Sequence, residues 1–328
     1  MSAAPKSTTE SLAQGELRFS PSTLVIGAEV SGIDLREELD APIVAALHDA
    51  IHKYKVLIFR DQDITDEQQV RYTRYFGGVT PGHPISDDGL ELHEIKSNVH
   101  SIQSTNSEYD SRGPTLEQPL RPVGRYRPGR GWHTDITFVA NPAAYSFLRG
   151  IEIPPVGGDT IWVDTEALYE SLSPSFQKFL DGLQAIHTVN GNREGRERAP
   201  RRDNREQGPF ASLHPLVRVH PVTGRKALLL GHFVQAIHGV SAGESAAILS
   251  YLETELASRQ EFHVRLRWQK NTLVQWDNRA TSHVGPIDRK LLTDERIVHR
   301  TTAGGELPVG PDGFTSRQLV GELFNVIS

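Results

Sequence analysis

His133 and Asp135 stand one residue apart, and His283 follows far down the chain, just beyond Trp276-Asp277-Asn278. If these three side chains serve one metal ion, the fold must bring the middle of the sequence and its C-terminal part together. One domain is therefore expected rather than two independent ones. Along an extended strand, residues i and i+2 share a face, so the His133 imidazole and the Asp135 carboxylate would point the same way. Two histidines and a carboxylate on one face of an octahedron leave the other face open, the arrangement associated with non-haem Fe(II) oxygenases.

A His-x-Asp pair is weak by itself, because a chain with 14 His is expected to hold roughly one by chance. Its setting is more specific. Trp132, Ile136, Phe138 and Val139 form an aromatic, β-favouring run around the pair, and His283 follows a strand-like Leu273-Val274-Gln275-Trp276 and a turn-like Asp277-Asn278. The same ligands suit Zn2+ in a hydrolase with one open position, and a barrel carrying them could serve as a non-catalytic binding module. Oxygen dependence separates these readings.

Composition narrows the classes. The chain has no Cys, so disulfides and thiolate metal sites are excluded and any metal must use imidazole and oxygen ligands. Hydrophobic content of 37% beside 23% charged residues describes a chain able to bury a substantial core. No apolar run approaches a membrane span, and the polar start Met1-Ser2-Ala3-Ala4-Pro5-Lys6 is unlike a signal peptide, so a cytoplasmic protein with no membrane partner is expected. A net charge of -6 argues against nucleic acid as the main partner. One run, Arg193, Arg196, Arg198, Arg201, Arg202 and Arg205, is locally basic, but Glu194, Glu197, Asp203 and Glu206 interrupt it, which reads as a solvated loop.

Residues 1–15 read as a disordered tail and 16–328 as a single domain. Asp40 opens a helix with Ile43, Val44, Leu47 and Ile51 at helical spacing, leading to the strand Val56-Leu57-Ile58-Phe59. Thr65 and Gln68 predict a capping box for a second helix running to Phe76. Ser173-Pro174 begins another, with Phe176, Phe179, Leu180 and Leu183 on one side. Ser241 and Glu244 cap one more, through Ile248, Leu249, Leu252 and Leu256. Strands are expected at 144–149, 160–163, 225–230, 264–268 and 273–276, and together they suggest two packed antiparallel sheets.

From residue 17 to about 310 the chain resembles the taurine dioxygenase and alkylsulfatase (TauD/TfdA-like) family of Fe(II)- and 2-oxoglutarate-dependent dioxygenases. The resemblance rests on several blocks in the same order: 26–35 (Ile-Gly-Ala-Glu-Val-Ser-Gly-Ile-Asp-Leu), Trp132-His133-Thr134-Asp135, Gly157-Gly158-Asp159-Thr160, His214-Pro215-Leu216-Val217-Arg218-Val219-His220-Pro221, Trp276-Asp277-Asn278-Arg279 and Arg296-Ile297-Val298-His299-Arg300. It implies an α+β fold with a double-stranded β-helix (jelly roll) core and flanking helices. It places the metal ligands on His133, Asp135 and His283, and the grip on the far carboxylate of 2-oxoglutarate on Thr160 and Arg296. A planar guanidinium fork and a hydroxyl donor suit that carboxylate. It brings Arg300 near the anionic groups of co-substrate or substrate and makes His83 a substrate contact.

Leu230-Gly231-His232-Phe233-Val234 resembles the alkylsulfatase branch more than the taurine branch, which adds His232 to the substrate side. The implied cofactors are Fe(II), 2-oxoglutarate as co-substrate and O2. The implied reaction is hydroxylation of a small anionic molecule: an alkyl sulfate ester cleaved to aldehyde and sulfate, with succinate and CO2 formed. A sulfonate, an aryloxyalkanoate or a natural-product intermediate are the alternatives. Because Asp135 supplies the carboxylate that a halogenase of this class would lack, halogenation is not expected. The resemblance further implies a homo-oligomer, dimer or tetramer, and a lid at 190–210 whose arginines attract an anion.

Overall fold

The computed structural model describes residues 16–80, 100–104, 131–188, 211–285, 288, 292 and 294–319, with 100–104 described as backbone alone. The expected tail at 1–15, the expected lid at 190–210 and His83 lie outside the described residues.

Among the described residues five α-helices accompany the strands: α1 (Ala41–Tyr54), α2 (Asp66–Arg74), α3 (Thr165–Glu170), α4 (Pro174–Leu180) and α5 (Ala242–Ser258). The capping boxes read from Thr65/Gln68 and Ser241/Glu244 are both formed, each closing the first turn by a reciprocal pair of hydrogen bonds. α1 starts at Asp40 with a proline in its first turn, buries Leu47, Ala50 and Ile51, and stops at Lys55, whose φ of 64° is left-handed. That conformation costs a non-glycine residue about 1–2 kcal/mol. The Lys55 ammonium, itself buried, lies 3.0 Å from Asp164 and 3.4 Å from Glu166.

A seven-stranded sheet forms the spine, in the order Arg18–Pro21, Ala28–Ser31, Val56–Phe59, Leu273–Asp277, Tyr145–Glu152, Arg296–Ala303, His100–Ser104. Ala28–Ser31 and Val56–Phe59 run parallel, departing from the expected all-antiparallel pairing. Parallel neighbours require a crossover connection, and α1 supplies it. A three-stranded sheet (His263–Leu266, Thr160–Asp164, Thr281–Val284) faces the spine, and a four-stranded sheet (Val234–Ile237, Gln184–Thr188, Ala211–Pro215, Arg317–Gln318) and a pair (Val217–Val219, Lys226–Leu228) complete the strands.

The packing makes layers. α1 and α2 cover one face of the spine through Leu47, Ile51, Tyr72 and Phe76 against Phe59 and Phe147. Val56, Ile58, Leu148, Val274 and Val298 of the other face meet Trp162, Val264 and Leu266 of the three-stranded sheet. Beyond that sheet, Leu249, Leu252 and Leu256 of α5 pack with Leu168 of α3 and Leu228. Each fully buried leucine contributes about 1.5–3 kcal/mol over its exposed state.

Three local expectations are revised. Phe179 is 48% exposed, because α4 ends at Leu180 and turns only Leu180 fully inward. α3 was not anticipated: it begins directly after a strand, on Asp164, whose carboxylate accepts from the backbone N–H of Glu166 and Ala167. His133 and Asp135 do not share an extended strand. His133 forms an isolated antiparallel bridge with His283, and Asp135 lies in the turn that follows, where Ile136 takes a φ of 49°.

Candidate active site

The bridge itself brings the two histidines together. His133 N–H donates to the His283 carbonyl and His283 N–H to the His133 carbonyl, both at 2.8 Å, leaving the ring centroids 4.2 Å apart. The Thr134 hydroxyl donates to the Thr281 carbonyl at 3.0 Å, so the turn after it swings Asp135 inward, to 2% exposure. Close approach is also needed from behind. A Cβ on Gly231 would lie 2.8 Å from His133 Cα, and the next residue, His232, donates its backbone N–H to the Trp132 carbonyl at 2.7 Å.

One ligand atom from each of His133, Asp135 and His283 lies within 4.8 Å of the other two. His133 Nδ1 is 2.8 Å from the Gly131 carbonyl, which can only accept, so Nδ1 carries the proton and Nε2 presents a lone pair. His133 Nε2 is 3.9 Å from Asp135 Oδ1. His283 Nδ1 is buried with no hydrogen-bond partner among the described residues. Burial first, then the neighbouring His133, push the His283 imidazole down to about 3, so it is neutral at ordinary pH. Burial disfavours the Asp135 charge, yet Arg300, His283, His133 and the Ser146 hydroxyl together hold its carboxyl well below the usual range. Two imidazoles and an ionised carboxylate, with no thiolate in the chain, fit Fe(II).

The second group of metal-ligand residues with such proximity, His52, His220 and Asp277, is of another kind. His220 Nδ1 accepts from the N–H of Val222 and Thr223, both at 3.2 Å, so its proton sits on Nε2 and is donated to Asp277 Oδ2 at 3.0 Å. Arg279 donates to Asp277 Oδ1 at 2.8 Å and Oδ2 at 2.7 Å, and also bonds Tyr145. That carboxylate already has its cation.

Thr160 and Arg296 also come together, 3% and 2% exposed. Thr160 shares its strand pair with His283, which lies opposite Trp162. Trp268 links the two residues: its Nε1–H donates to Thr160 Oγ1 at 3.0 Å, and its ring lies 5.5 Å from the Arg296 guanidinium carbon. A hydroxyl that accepts from Trp268 keeps its own proton for another partner. Arg296 Nε–H donates to the Gly158 carbonyl at 3.0 Å. Two glycines are needed here. Gly157 and Gly158 have φ of 83° and 75°, and a Cβ at 158 would meet Arg296 Cδ at 2.9 Å.

Arg296 and Arg300 occupy one strand and one face, four residues or about 13 Å apart. Arg300 Nη1 donates to Asp135 Oδ1 at 2.8 Å. The resemblance left its partner open between co-substrate and substrate; here it rests on the carboxylate of the His/Asp cluster. His232 is exposed, and the Phe233 ring beside it stands edge-on to His133 at 6.0 Å. Ser146, Asn278 and Trp268 were not singled out from sequence. Only the block Trp276-Asp277-Asn278-Arg279 carried a signal, without a role attached.

Comparison with known proteins identifies the family. The model of the "Taurine catabolism dioxygenase TauD, TfdA family" matches residues 18–302. The chain is 35% identical over 312 residues to an alkylsulfatase of Acinetobacter baylyi, covering 92% of this chain and 89% of that protein. It is 34% identical over 309 residues to an alpha-ketoglutarate-dependent sulfate ester dioxygenase of Pseudomonas putida, covering 92% and 94%. A crystal structure of a taurine dioxygenase from Burkholderia xenovorans superposes with a TM-score of 0.77 at 36% identity, covering 93% of this chain and 95% of that one. A chain matched over nearly its whole described length by family model, relatives and fold belongs to the TauD, TfdA dioxygenase family.

Proposed function

We propose that this protein is an Fe(II)- and 2-oxoglutarate-dependent dioxygenase acting on a small anionic substrate, with an alkyl sulfate ester as the preferred class. The observation that carries the reading is the cluster of His133, Asp135 and His283, together with Thr160, which shares a strand pair with His283, and Arg296, which Trp268 links to Thr160. In this reading the facing sheets are the walls of a double-stranded β-helix, with the cluster at its mouth. His133, Asp135 and His283 would hold iron, and Thr160 and Arg296 the far carboxylate of 2-oxoglutarate by a hydroxyl and a charge-assisted pair.

Bound iron supplies the oxidising power, with O2 as oxidant and 2-oxoglutarate as the source of two electrons, which leaves as succinate and CO2. The chain's own part is binding and aiming. Arg300, already beside Asp135, places positive charge where an anionic substrate would arrive. Trp162 and Trp276, fully buried and packed on each other and on His283, keep water from the inner side of the cluster. Insertion of oxygen at the carbon bearing the sulfate oxygen yields a hydroxy ester that collapses to an aldehyde, releasing sulfate and a proton. The two relatives named for sulfate esters support that substrate class. The relative named for taurine supports a sulfonate as second reading, with sulfite as the leaving group.

The test is an aerobic panel of alkyl sulfates, sulfonates and aryloxyalkanoates, scored by substrate-coupled succinate release with added Fe(II) and 2-oxoglutarate. Sulfate release matched by aldehyde is expected with an alkyl sulfate. Sulfite release with a sulfonate instead would move the assignment to the second reading. Hydrolysis of the ester without O2 or 2-oxoglutarate would replace it with the zinc hydrolase.

A further inference from the structure

In the block Trp276-Asp277-Asn278-Arg279, Trp276 packs on His283, and its indole N–H begins a path that leads directly to the metal cluster. Trp276 Nε1–H donates to Asn278 Oδ1 at 3.0 Å, Asn278 Nδ2–H donates to Ser146 Oγ at 2.8 Å, and Ser146 Oγ–H donates to Asp135 Oδ2 at 2.6 Å. All four side chains are buried: Ser146 is fully enclosed, and the others are no more than 2% exposed.

The polarity of this chain of bonds is fixed by its two ends. An indole N–H can only donate, so the Asn278 amide must turn its oxygen to Trp276 and its NH2 to Ser146. The Ser146 oxygen then accepts, and its single proton goes to Asp135, an ionised carboxylate that can only accept. No member can reverse without leaving a buried donor or acceptor unpaired, which costs more than an ordinary hydrogen bond contributes. The far oxygen, Oδ1, is the one 3.9 Å from His133 Nε2.

We propose that Trp276, Asn278 and Ser146 are positioning residues that hold Oδ2 of Asp135 away from the metal, so that the carboxylate ligates through Oδ1 alone. Resting on the reading that His133, Asp135 and His283 bind iron, this assigns the signature block a function. A carboxylate free to rotate would take a second coordination position. One pinned by Ser146 leaves three positions of an octahedron open, two for a chelating keto-acid and one for O2. The outer residues of a metal site commonly change its affinity by 10–100-fold when removed.

The experiment is titration of the metal-free protein with Mn(II), followed by electron paramagnetic resonance, alongside the melting temperature of each metal-free variant. Ser146→Ala is expected to weaken Mn(II) binding on the order of 10–100-fold. Trp276→Phe, which keeps the ring and deletes only the N–H, is expected to weaken it several-fold. The double variant Ser146→Ala/Asn278→Ala should bind no worse than Ser146→Ala alone, since the relay is already broken at its last link. A purely structural role would lower the melting temperature and leave Mn(II) affinity in place, so wild-type-like affinity in folded Ser146→Ala overturns the proposal. If that variant does not fold, unchanged affinity in Trp276→Phe overturns it. Asp135→Ala is the control. Mn(II) affinity unaffected there would defeat the assignment of the cluster itself, a result distinct from failure of the relay alone.

Discussion

Among the described residues two largely buried clusters are built from the same residue types, two histidines and an aspartate, and only one of them is suited to a metal. Around Asp277, the backbone and guanidinium of Arg279 and the protonated Nε2 of His220 supply four donors to the carboxylate, so its charge is answered from within the chain. Around Asp135, one oxygen takes a serine hydroxyl and the other a single arginine nitrogen, while His133 is set to present a lone pair. Proximity and residue type are therefore a poor guide to metal sites. The proton inventory decides, because a histidine whose second nitrogen is bonded to a carbonyl is a ligand in waiting, whereas one bonded to two N–H groups is already a donor.

The comparison is broken most directly by exchanging the consequences. Asp135→Ala should abolish substrate-coupled succinate release while the fold persists, and turnover near that of the wild type would remove the distinction between the clusters. Asp277→Ala should act on the fold instead, leaving Arg279 buried without its carboxylate at a cost of about 3–5 kcal/mol. Urea unfolding measures this, and a midpoint close to the wild type would show that Arg279 finds another partner.

A sharper test contrasts two of the buried arginines. Arg279 pairs inside the chain, while Arg296 is assigned to the co-substrate, so Arg296→Ala should raise the 2-oxoglutarate requirement by the equivalent of about 1.5–3 kcal/mol. An unchanged half-saturating concentration would reject that role.

A pH-dependent effect on stability concerns a histidine in neither cluster. His214 is fully buried between the Ser316 hydroxyl and the Thr137 carbonyl, and burial pushes it down to about 4. The unfolded chain therefore takes up this proton at a higher pH than the folded one. Stability is complete above the unfolded value of about 6.5 and declines as pH falls toward 4, by at most about 1.4 kcal/mol per pH unit from this group. Denaturant midpoints that stay flat between pH 7 and 4.5 would contradict it.

Local signals in the sequence were legible where the physics is local. The Thr65/Gln68 and Ser241/Glu244 boxes, and the apolar spacing of Leu47 with Ile51 and of Leu249, Leu252 and Leu256, depend on residues a turn apart, and all appear as read. The identity of the His133, Asp135, His283 cluster was legible too, but its geometry was not. Alternation suggested a strand, and a two-histidine bridge with a left-handed Ile136 took its place. Ser146 gave no sign at all, because its importance comes from Asn278, distant in sequence and adjacent only through the pairing of Tyr145–Glu152 with Leu273–Asp277.

Lys55 carries a consequence for how the molecule breathes. Its ammonium is held by the acids that open α3, its carbonyl receives the Asp277 N–H at 3.0 Å, and its own N–H closes the last turn of α1. Three segments thus release together or not at all, so the amides of Lys55 and Asp277 should exchange with solvent deuterium at matching free energies, as one cooperative unit. Glycine at this position would relax the backbone and uncouple that unit, trading local comfort for a looser joint between α1, α3 and the central sheet.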